Sequence, residues 1–596
     1  MDLHFLDAKA TPAEREALDA LLGPEAEAGG LRAESGGHEA RARRRLLLPA
    51  LHALHDRVGW ISRGGLNELC RRLTIAPADA YGVASFYGLF STTPRPSKIL
   101  HVCTDVVCLA AGAAPPPPSG DEVHVAASPC LGLCERAPAA LWFEAGAPAR
   151  ERALAPVEPD VLAALALGQA PPADGYEPAT SAPQAGSAEL VLLRRIGRVD
   201  PASLDSYRAH GGYAALRRAV ELGPAGVIRE VSDSKLAGRG GAAFPTGRKW
   251  DAVARQPTRP HYLVCNADES EPGTFKDRVI VEGDPFALVE ACTIAAYACG
   301  VEQGYVYLRG EYPLAHERLG AAIEACRRRG LLGDDVMGAG FRFELDIVKG
   351  AGAYICGEET AIFNSIEGRR GEPRNKPPFP VESGLFAKPT VVNNVETLVN
   401  VLAVLERGGP AYAELGTAES TGPKLFCVSG AVARPGVYEV PFGPTLRELL
   451  ELAGGVPEGR RLQAVLLGGA AGGFVGPDQL DVALTFEGAR AAGVSLGSGV
   501  VFAVDDTVEV TALLLRIAEF FRDESCGQCV PCRVGTVRQA EVLRRLIAAP
   551  PGAAAAELAL FADIARAMRD ASICGLGQTA PGALESAIAR LGVFGV

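Results

Sequence analysis

Cys526, Cys529 and Cys532 stand at C-x-x-C-x-x-C spacing in E-S-C-G-Q-C-V-P-C-R-V-G, and Cys574 follows in S-I-C-G-L-G after a long helical interval. Two intervening residues let successive thiolates bend around one small object. Three thiolates so spaced, with a distant fourth, suit the corners of a cubane 4Fe-4S cluster. Zinc is the alternative, although zinc sites more often use two separated C-x-x-C pairs. A second set holds Cys103 and Cys108 at C-x4-C and Cys130 and Cys134 at C-x3-C. Two such pairs fit a 2Fe-2S cluster, each iron taking two thiolates. The competing reading is a degenerate site without metal. Either cluster would relay single electrons, so the chain must hold something that loads it and something that empties it.

Three further loops bear on that loading. In A-G-R-G-G-A-A-F-P-T-G-R-K-W, glycines at 238, 240 and 241 remove side chains so that backbone N–H groups can approach a phosphate. Arg239 and Lys249 bring positive charge to the same loop. It is no Rossmann fingerprint, because the preceding Val227 to Leu236 reads as helix, and Gly247-Arg248-Lys249-Trp250 does not complete a P-loop. The second loop, C-N-A-D-E-S-E-P-G-T-F-K-D-R from Cys265, follows the strand His261 to Val264. Its carboxylates and amide suit ring nitrogens and ribose hydroxyls. The third, K-G-A-G-A-Y-I-C-G-E-E-T-A from Lys349, follows an apolar strand, Phe341 to Val348. Gly357-Glu358-Glu359 should open a helix, and simple capping is the plainer account of those carboxylates.

These segments must be positioned by several domains, since 596 residues exceed a single core. Thr11-Pro12-Ala13-Glu14 is a capping box opening a helix to about Leu22, broken by a Gly/Glu-rich stretch. Arg41 to Arg45 reads as a solvated helix face. Leu47, Leu51 and Leu54, then Leu66, Leu69 and Leu73, follow helical spacing. Lys98 to Cys103 alternates as a strand and, with the paired cysteines, suits a thioredoxin-like frame. From Lys424 to Thr507 strands surround one helix capped by Thr445, a β-grasp pattern. Beyond Leu513 the pattern is helical. The other seven cysteines, Cys70, Cys265, Cys292, Cys299, Cys326, Cys356 and Cys427, lie among apolar neighbours as core thiols. A net charge of −12 and the lack of a phosphate-tracking stripe argue against nucleic acid. With no apolar run long enough to span a bilayer and no secretory start, a cytoplasmic protein without direct membrane insertion is expected, possible attachment to the inner face being through partners.

The three loops in order, followed by N-K-P-P-F-P and V-N-N-V-E-T, resemble the FMN- and NADH-binding flavoprotein subunit of respiratory complex I from about Val231 to Gly577. That family includes diaphorase subunits of NAD-reducing hydrogenases and NAD-dependent formate dehydrogenases. The helical segment, C-x4-C and C-L-G-L-C resemble its small 2Fe-2S subunit, so the chain looks like the two fused. The gap between the cysteine pairs departs from the family: Ala-Gly-Ala-Ala and Pro115 to Pro118 replace a helix. The resemblance implies FMN contacts from Gly238, Gly240, Gly241, Lys249, Asn266, Asp268, Gly357, Glu358, Asn393 and Asn394. It implies NADH contacts from Phe244, Glu271, Glu359, Lys376 and Phe379. Ala243 stands where the family usually has glycine, and Ala252 where many members carry phenylalanine.

The expected architecture is multidomain α/β: an N-terminal extension (1–40), a helical bundle (41–97), a shortened thioredoxin-like 2Fe-2S domain (98–168) and a linker (169–189). An FMN/NADH-binding domain (190–408), a β-grasp domain (420–508) and a helical bundle holding the 4Fe-4S cluster (509–596) complete it. The implied activity is hydride transfer between NADH and FMN, then single-electron transfer through the cluster of Cys526, Cys529, Cys532 and Cys574. The implied partners are iron–sulfur, molybdenum, tungsten or nickel enzyme subunits. The alternative is a non-catalytic electron carrier or assembly subunit that no longer binds FMN.

Overall fold

The computed structural model describes residues 7–24, 42–173, 175–548 and 554–595. Most of the Gly/Glu-rich stretch after Leu22, and Arg41, lie outside them. The helix Pro12–Leu22 begins at Thr11, whose hydroxyl accepts from the Glu14 N–H while Glu14 accepts from the Thr11 N–H. It lays Leu18 against the helix Leu47–Val58, which buries Leu47, Leu51 and Leu54. The helix Arg63–Leu73 buries Leu66, Leu69 and Leu73 in the same way.

The first sheet joins β1 (Lys98–Cys103), β2 (Val123–Ser128), β3 (Ala140–Glu144) and β4 (Arg150–Leu154) in the order β2-β1-β3-β4. β1 and β2 are parallel and the remaining pairs antiparallel, which suits the thioredoxin-like expectation. Between β1 and β2 runs only the short helix Val106–Ala110, and Pro115 to Pro118 form none.

The second sheet is fully parallel: β5 (His261–Ala267), β6 (Val301–Leu308), β7 (Glu344–Lys349) and β8 (Thr390–Asn394), ordered β7-β6-β5-β8. β7 starts later than Phe341 because Phe343 pairs with Gly333 in the preceding turn. The chain builds outward from β5 through β6 to β7, then crosses to the other side of β5 for β8. A topological switch therefore lies between β5 and β8, at whose carboxyl ends α/β sheets open a crevice. The helix Pro285–Cys299 is apolar almost all round and is buried accordingly. Its one acid, Glu290, accepts from the Tyr207 hydroxyl and from the Tyr213 and Leu216 N–H groups, which explains how a carboxyl persists there.

The third sheet holds β9 (Pro423–Gly430), β10 (Gly436–Pro441), β11 (Leu462–Leu467), β12 (Gly473–Val475) and β13 (Val500–Asp505) in the order β10-β9-β13-β11-β12. Thr445 caps its helix, Leu446–Leu452, through a box with Glu448. This sheet has its own core around Phe426, Leu449 and Val501. The chain ends in helices Val510–Asp523, Val530–Ala548, Ala555–Ala571 and Gly582–Leu591. One continuous buried cluster runs from Leu47 through Leu398 to Leu584, so the N-terminal helices, the parallel-sheet domain and the C-terminal helices pack as one body. The Ala/Pro-rich segment after Gln169 is no free tether: Ser181 and Ala182 are buried, and Ser181 donates to Glu135. All seven scattered cysteines are buried.

Candidate functional site

The switch-point crevice collects residues from three strand ends. Asn266, at the end of β5, donates to the Gly357 carbonyl at 2.8 Å and accepts from the Asp268 N–H. That joins the second and third loops. Asp268 Oδ2 is buried with no protein partner. Burial holds its carboxyl well above the usual range, which favours the neutral acid, so Oδ2 is a polar atom left to exchange a hydrogen bond with a bound group. A Cβ on Gly357 would lie 3.4 Å from the Asp268 carbonyl and 3.6 Å from that oxygen, so glycine keeps the space before it open.

Asn393 and Asn394 form the floor, with their side chains committed inside the protein. Asn393 accepts from the Trp250 indole at 2.9 Å. Asn394 caps the helix Val395–Arg407 and accepts from Lys276 while donating to Asp277. Behind it, Lys276 and Lys424 share Glu396 in a buried ion network that fixes the strand end.

The glycine loop passes over this floor. A Cβ on Gly240 would sit 3.1 Å from Asn394 Cβ, and Gly241 has φ of +109°. These two positions demand glycine for close approach and for backbone shape. Arg239 does not serve a phosphate as its sequence position suggests. Its guanidinium is buried away from the loop, donating to the Ala237, Thr421 and Pro423 carbonyls and stacking on Phe442. It ties the loop to the start of the third sheet. Ala243 takes a left-handed φ of +51°, which a β-carbon disfavours.

Phe244, Lys249, Glu358, Glu359 and Lys376 meet on one side of the loop. The rings of Phe244 and Phe379 are 47% and 52% exposed, unusual for such large apolar groups and suited to stacking. Lys249 donates to the Val392 carbonyl, stands 3.9 Å from Glu359 and lies 5.8 Å from the Phe244 ring centroid. Burial lowers its pKa, and Glu359 opposes that shift. Lys376 bridges Glu358 at 3.0 Å and Glu359 at 2.6 Å. Glu358 also caps the helix Glu359–Ile366 through the Thr360 and Ala361 N–H groups. One Glu358 oxygen thus caps the helix while the other pairs with Lys376.

Glu271 sits farther along the second loop, accepting from the Tyr354 hydroxyl at 2.5 Å and the Ala471 N–H at 2.8 Å. Burial pushes its carboxyl up to about 7 against those two donors. Tyr354 also donates its N–H to Glu524, two residues before Cys526.

The cysteine sets gather as their spacing implies. Cys526, Cys529, Cys532 and Cys574 are mutual electrostatic neighbours, and Glu358 is near Cys574. The Leu576 and Gly577 N–H groups aim at Cys574, and the Gln528 N–H at Cys526. Such donors stabilise bound thiolate. A Cβ on Gly577 would collide with Ser572 Oγ and come within 2.9 Å of Cys532 Cβ. In the N-terminal set, the Cys103 thiol contacts Cys108 and Cys130, and Cys130 Sγ lies 3.4 Å from Cys134 Sγ. All four are buried despite the missing helix. Neither set, among the described residues, has the geometry of a single-ion site. The all-thiolate donors fit clusters. The glycine cradle and the orphaned Asp268 oxygen fit a flavin phosphate and ring.

Sequence reasoning passed over Tyr354, Glu524, Arg278 and Arg309. Arg309 follows β6, and the carboxyl end of a parallel strand, where α/β sheets place functional groups, is the signal for it.

The chain matches four family models: the Nuo51 FMN-binding domain (residues 231–403), the NADH-ubiquinone oxidoreductase-F iron-sulfur binding region (512–591), the thioredoxin-like [2Fe-2S] ferredoxin (34–115) and the SLBB domain (425–475). The F 2 subunit of NADH-quinone oxidoreductase from Rhizobium meliloti (strain 1021) is 46% identical over 402 residues, which are 67% of this chain and 95% of that protein. The HndC subunit of the NADP-reducing hydrogenase from Solidesulfovibrio fructosivorans is 43% identical over 397 residues, 66% of this chain and 80% of its own. A chain of the NAD+-reducing [NiFe]-hydrogenase, crystallised in the H2-reduced state, superposes with a TM-score of 0.79 at 33% identity, covering 92% of each chain.

Proposed function

The chain belongs to the family of NADH dehydrogenase flavoproteins and hydrogenase diaphorases, and from that premise we propose how its residues run the electron-input reaction. It is an NADH:acceptor oxidoreductase module and one component of a larger redox complex. Bound FMN supplies the exchange between the paired electrons of NADH and the single electrons of the clusters.

The backbone of Gly238, Gly240 and Gly241 receives the flavin phosphate, and the Asp268 carboxyl hydrogen-bonds the flavin ring. Asn266, Gly357, Asn393 and Asn394 hold the ring's floor through backbone and packing. Phe244 and Phe379 sandwich the adenine, while Glu271, Glu359 and Lys376 take ribose and phosphate groups. Tyr354 orients Glu271. Lys249 supports Glu359 from below. The observation that carries this reading is the unpartnered Asp268 oxygen beside Gly357, a polar atom that no protein group satisfies.

Electrons leave through the set Cys526, Cys529, Cys532 and Cys574. Val530, Val534 and Val537 stand exposed on one face of the helix that begins within this set, beside exposed Ile573. That apolar stripe is where the electron-accepting protein docks. The fused arrangement is shared with the chain of the NAD+-reducing [NiFe]-hydrogenase, which covers 92% of this chain, and that likeness supports a hydrogenase-type assembly. No helix among the described residues is long and apolar enough to cross a membrane.

Anaerobic NADH added to purified protein should bleach the flavin absorption and then reduce the 4Fe-4S signal. Protein that retains iron and sulfide but no FMN would instead establish the non-catalytic carrier, which the strained Ala243 and the replacement at Ala252 favour.

A further inference from the structure

The loop after β5 has two working sides. Asp268 and Glu271 face the crevice. Glu269, from the same loop, turns its carbonyl to Arg309, which also holds the N-terminal cysteine loop. The Gly132 N–H donates to the Cys130 sulfur at 3.4 Å. Gly132 has φ of +67°, and a Cβ there would collide with the Tyr312 side chain, so the N–H is aimed by a backbone shape only glycine holds easily.

Arg309 closes the arrangement. It is 2% exposed, at the carboxyl end of β6. Its Nη2 donates to the Cys130 carbonyl at 2.7 Å and its Nη1 to the Glu269 carbonyl at 2.6 Å. Glu311 pairs with it at 2.9 Å, and the Tyr312 ring lies 4.9 Å from its guanidinium carbon. Arg278 grips the same cysteine loop through the Gly132 carbonyl at 2.9 Å, with Glu135 and Glu282 as its counter-charges. Of the two cations, Arg309 alone bonds both a cluster-bearing cysteine residue and the flavin loop.

We propose that Arg309 is a positioning residue that raises the reduction potential of the 2Fe-2S cluster held by Cys103, Cys108, Cys130 and Cys134. Reducing that cluster adds one negative charge inside a buried site. A fixed cation and an N–H directed at a ligand sulfur favour the reduced form, and burial strengthens both effects. Glu311 works against Arg309 by compensating part of its charge. The cluster is thereby tuned by a residue of the flavin domain, and it serves as an acceptor next to the flavin loop.

The test is a potentiometric titration of the whole chain with mediator dyes, following the 2Fe-2S signal by electron paramagnetic resonance alongside iron content. Glu311→Gln leaves Arg309 uncompensated, so the reduced-to-oxidised ratio at the wild-type midpoint should rise. The double variant Arg309→Met/Glu311→Gln removes the cation without stranding a buried carboxylate. It should lower that ratio about tenfold, ~59 mV for a one-electron couple. The 4Fe-4S signal should titrate as in the wild type. Shifts of opposite sign distinguish charge from loosened packing, which would move both variants the same way. An unchanged or lowered ratio in Glu311→Gln overturns the proposal, as does an unchanged ratio in an iron-replete double variant. Should the double variant lose its 2Fe-2S iron, Glu311→Gln alone decides. Dyes bypass NADH, so failure here is separable from failure of flavin reduction.

Discussion

The Tyr354 hydroxyl donates to Glu271 Oε2 at 2.5 Å, and this bond sets the charge of the nucleotide side. Burial raises the Glu271 carboxyl to about 7, and the Tyr354 and Ala471 donors hold it from rising further. A folded-state pKa above the unfolded value means that the neutral form favours folding. That contribution is fully present below about 4.3 and is lost as pH rises through about 7. Capture of ribose hydroxyls needs the opposite form, the carboxylate. NADH affinity should therefore tighten as pH rises through about 7 while the free protein loses a little stability. Glu271→Gln should flatten that pH dependence and weaken NADH about tenfold, ~1.4 kcal/mol. Tyr354→Phe should move the dependence to higher pH. Fluorescence titrations of NADH across the interval measure both, and a pH dependence surviving in Glu271→Gln would dismiss this assignment.

Ala243 carries a left-handed φ of +51° in the loop that must approach a phosphate. A β-carbon in that conformation costs about 1–2 kcal/mol, partly offset by the freedom glycine adds to the unfolded chain. Ala243→Gly should stabilise the flavin domain by about 1 kcal/mol and raise the urea midpoint for FMN release. A lower midpoint would mean that the methyl group makes a contact worth more than the strain.

Local spacing made the cysteine ligands, the capping boxes at Thr11 and Thr445, and the glycine loop legible in the sequence, because neighbours along the chain determine each. What remained hidden depends on distant partners. Arg309 meets Cys130 across 179 residues, and no local pattern announces that bond. Arg239 misled for the same reason: its charge lies in a phosphate-type loop, but Thr421 and Pro423 take the guanidinium from another domain. The missing helix after Cys108 was readable from Pro115 to Pro118. That the four cysteines stay buried without it was not, since Arg278, Arg309 and Asp105 brace the loop from elsewhere.

The two cysteine sets are carried by different elements, one by the first sheet and its loops and the other by the C-terminal helices, so their metals should be lost independently. Cys574→Ser should remove about four irons per chain and leave the 2Fe-2S signal. Cys134→Ser should remove about two and leave the 4Fe-4S signal. Iron analysis with paired paramagnetic spectra reads both. Loss of both signals in either variant would show that the clusters support one fold jointly.

The electron exit makes the most exposed prediction. Val530, Val534 and Val537 are 58%, 47% and 39% exposed and recur at helical spacing, so they lie on one face of Val530–Ala548. Exposed apolar residues in a stripe next to a redox centre indicate a buried face in an assembly. Val534→Glu places a charge in the middle of that stripe without touching the packed side of the helix. It should leave NADH-driven ferricyanide reduction intact, because that small acceptor needs no docking. Electron delivery to the native partner should fall at least about tenfold, a loss of ~1.4 kcal/mol of docking energy. The comparison is made on the copurified complex, with partner content measured by size-exclusion chromatography. Undiminished partner retention would move the docking face off this helix, whereas loss of ferricyanide activity would mean that Val534 supports the cluster itself.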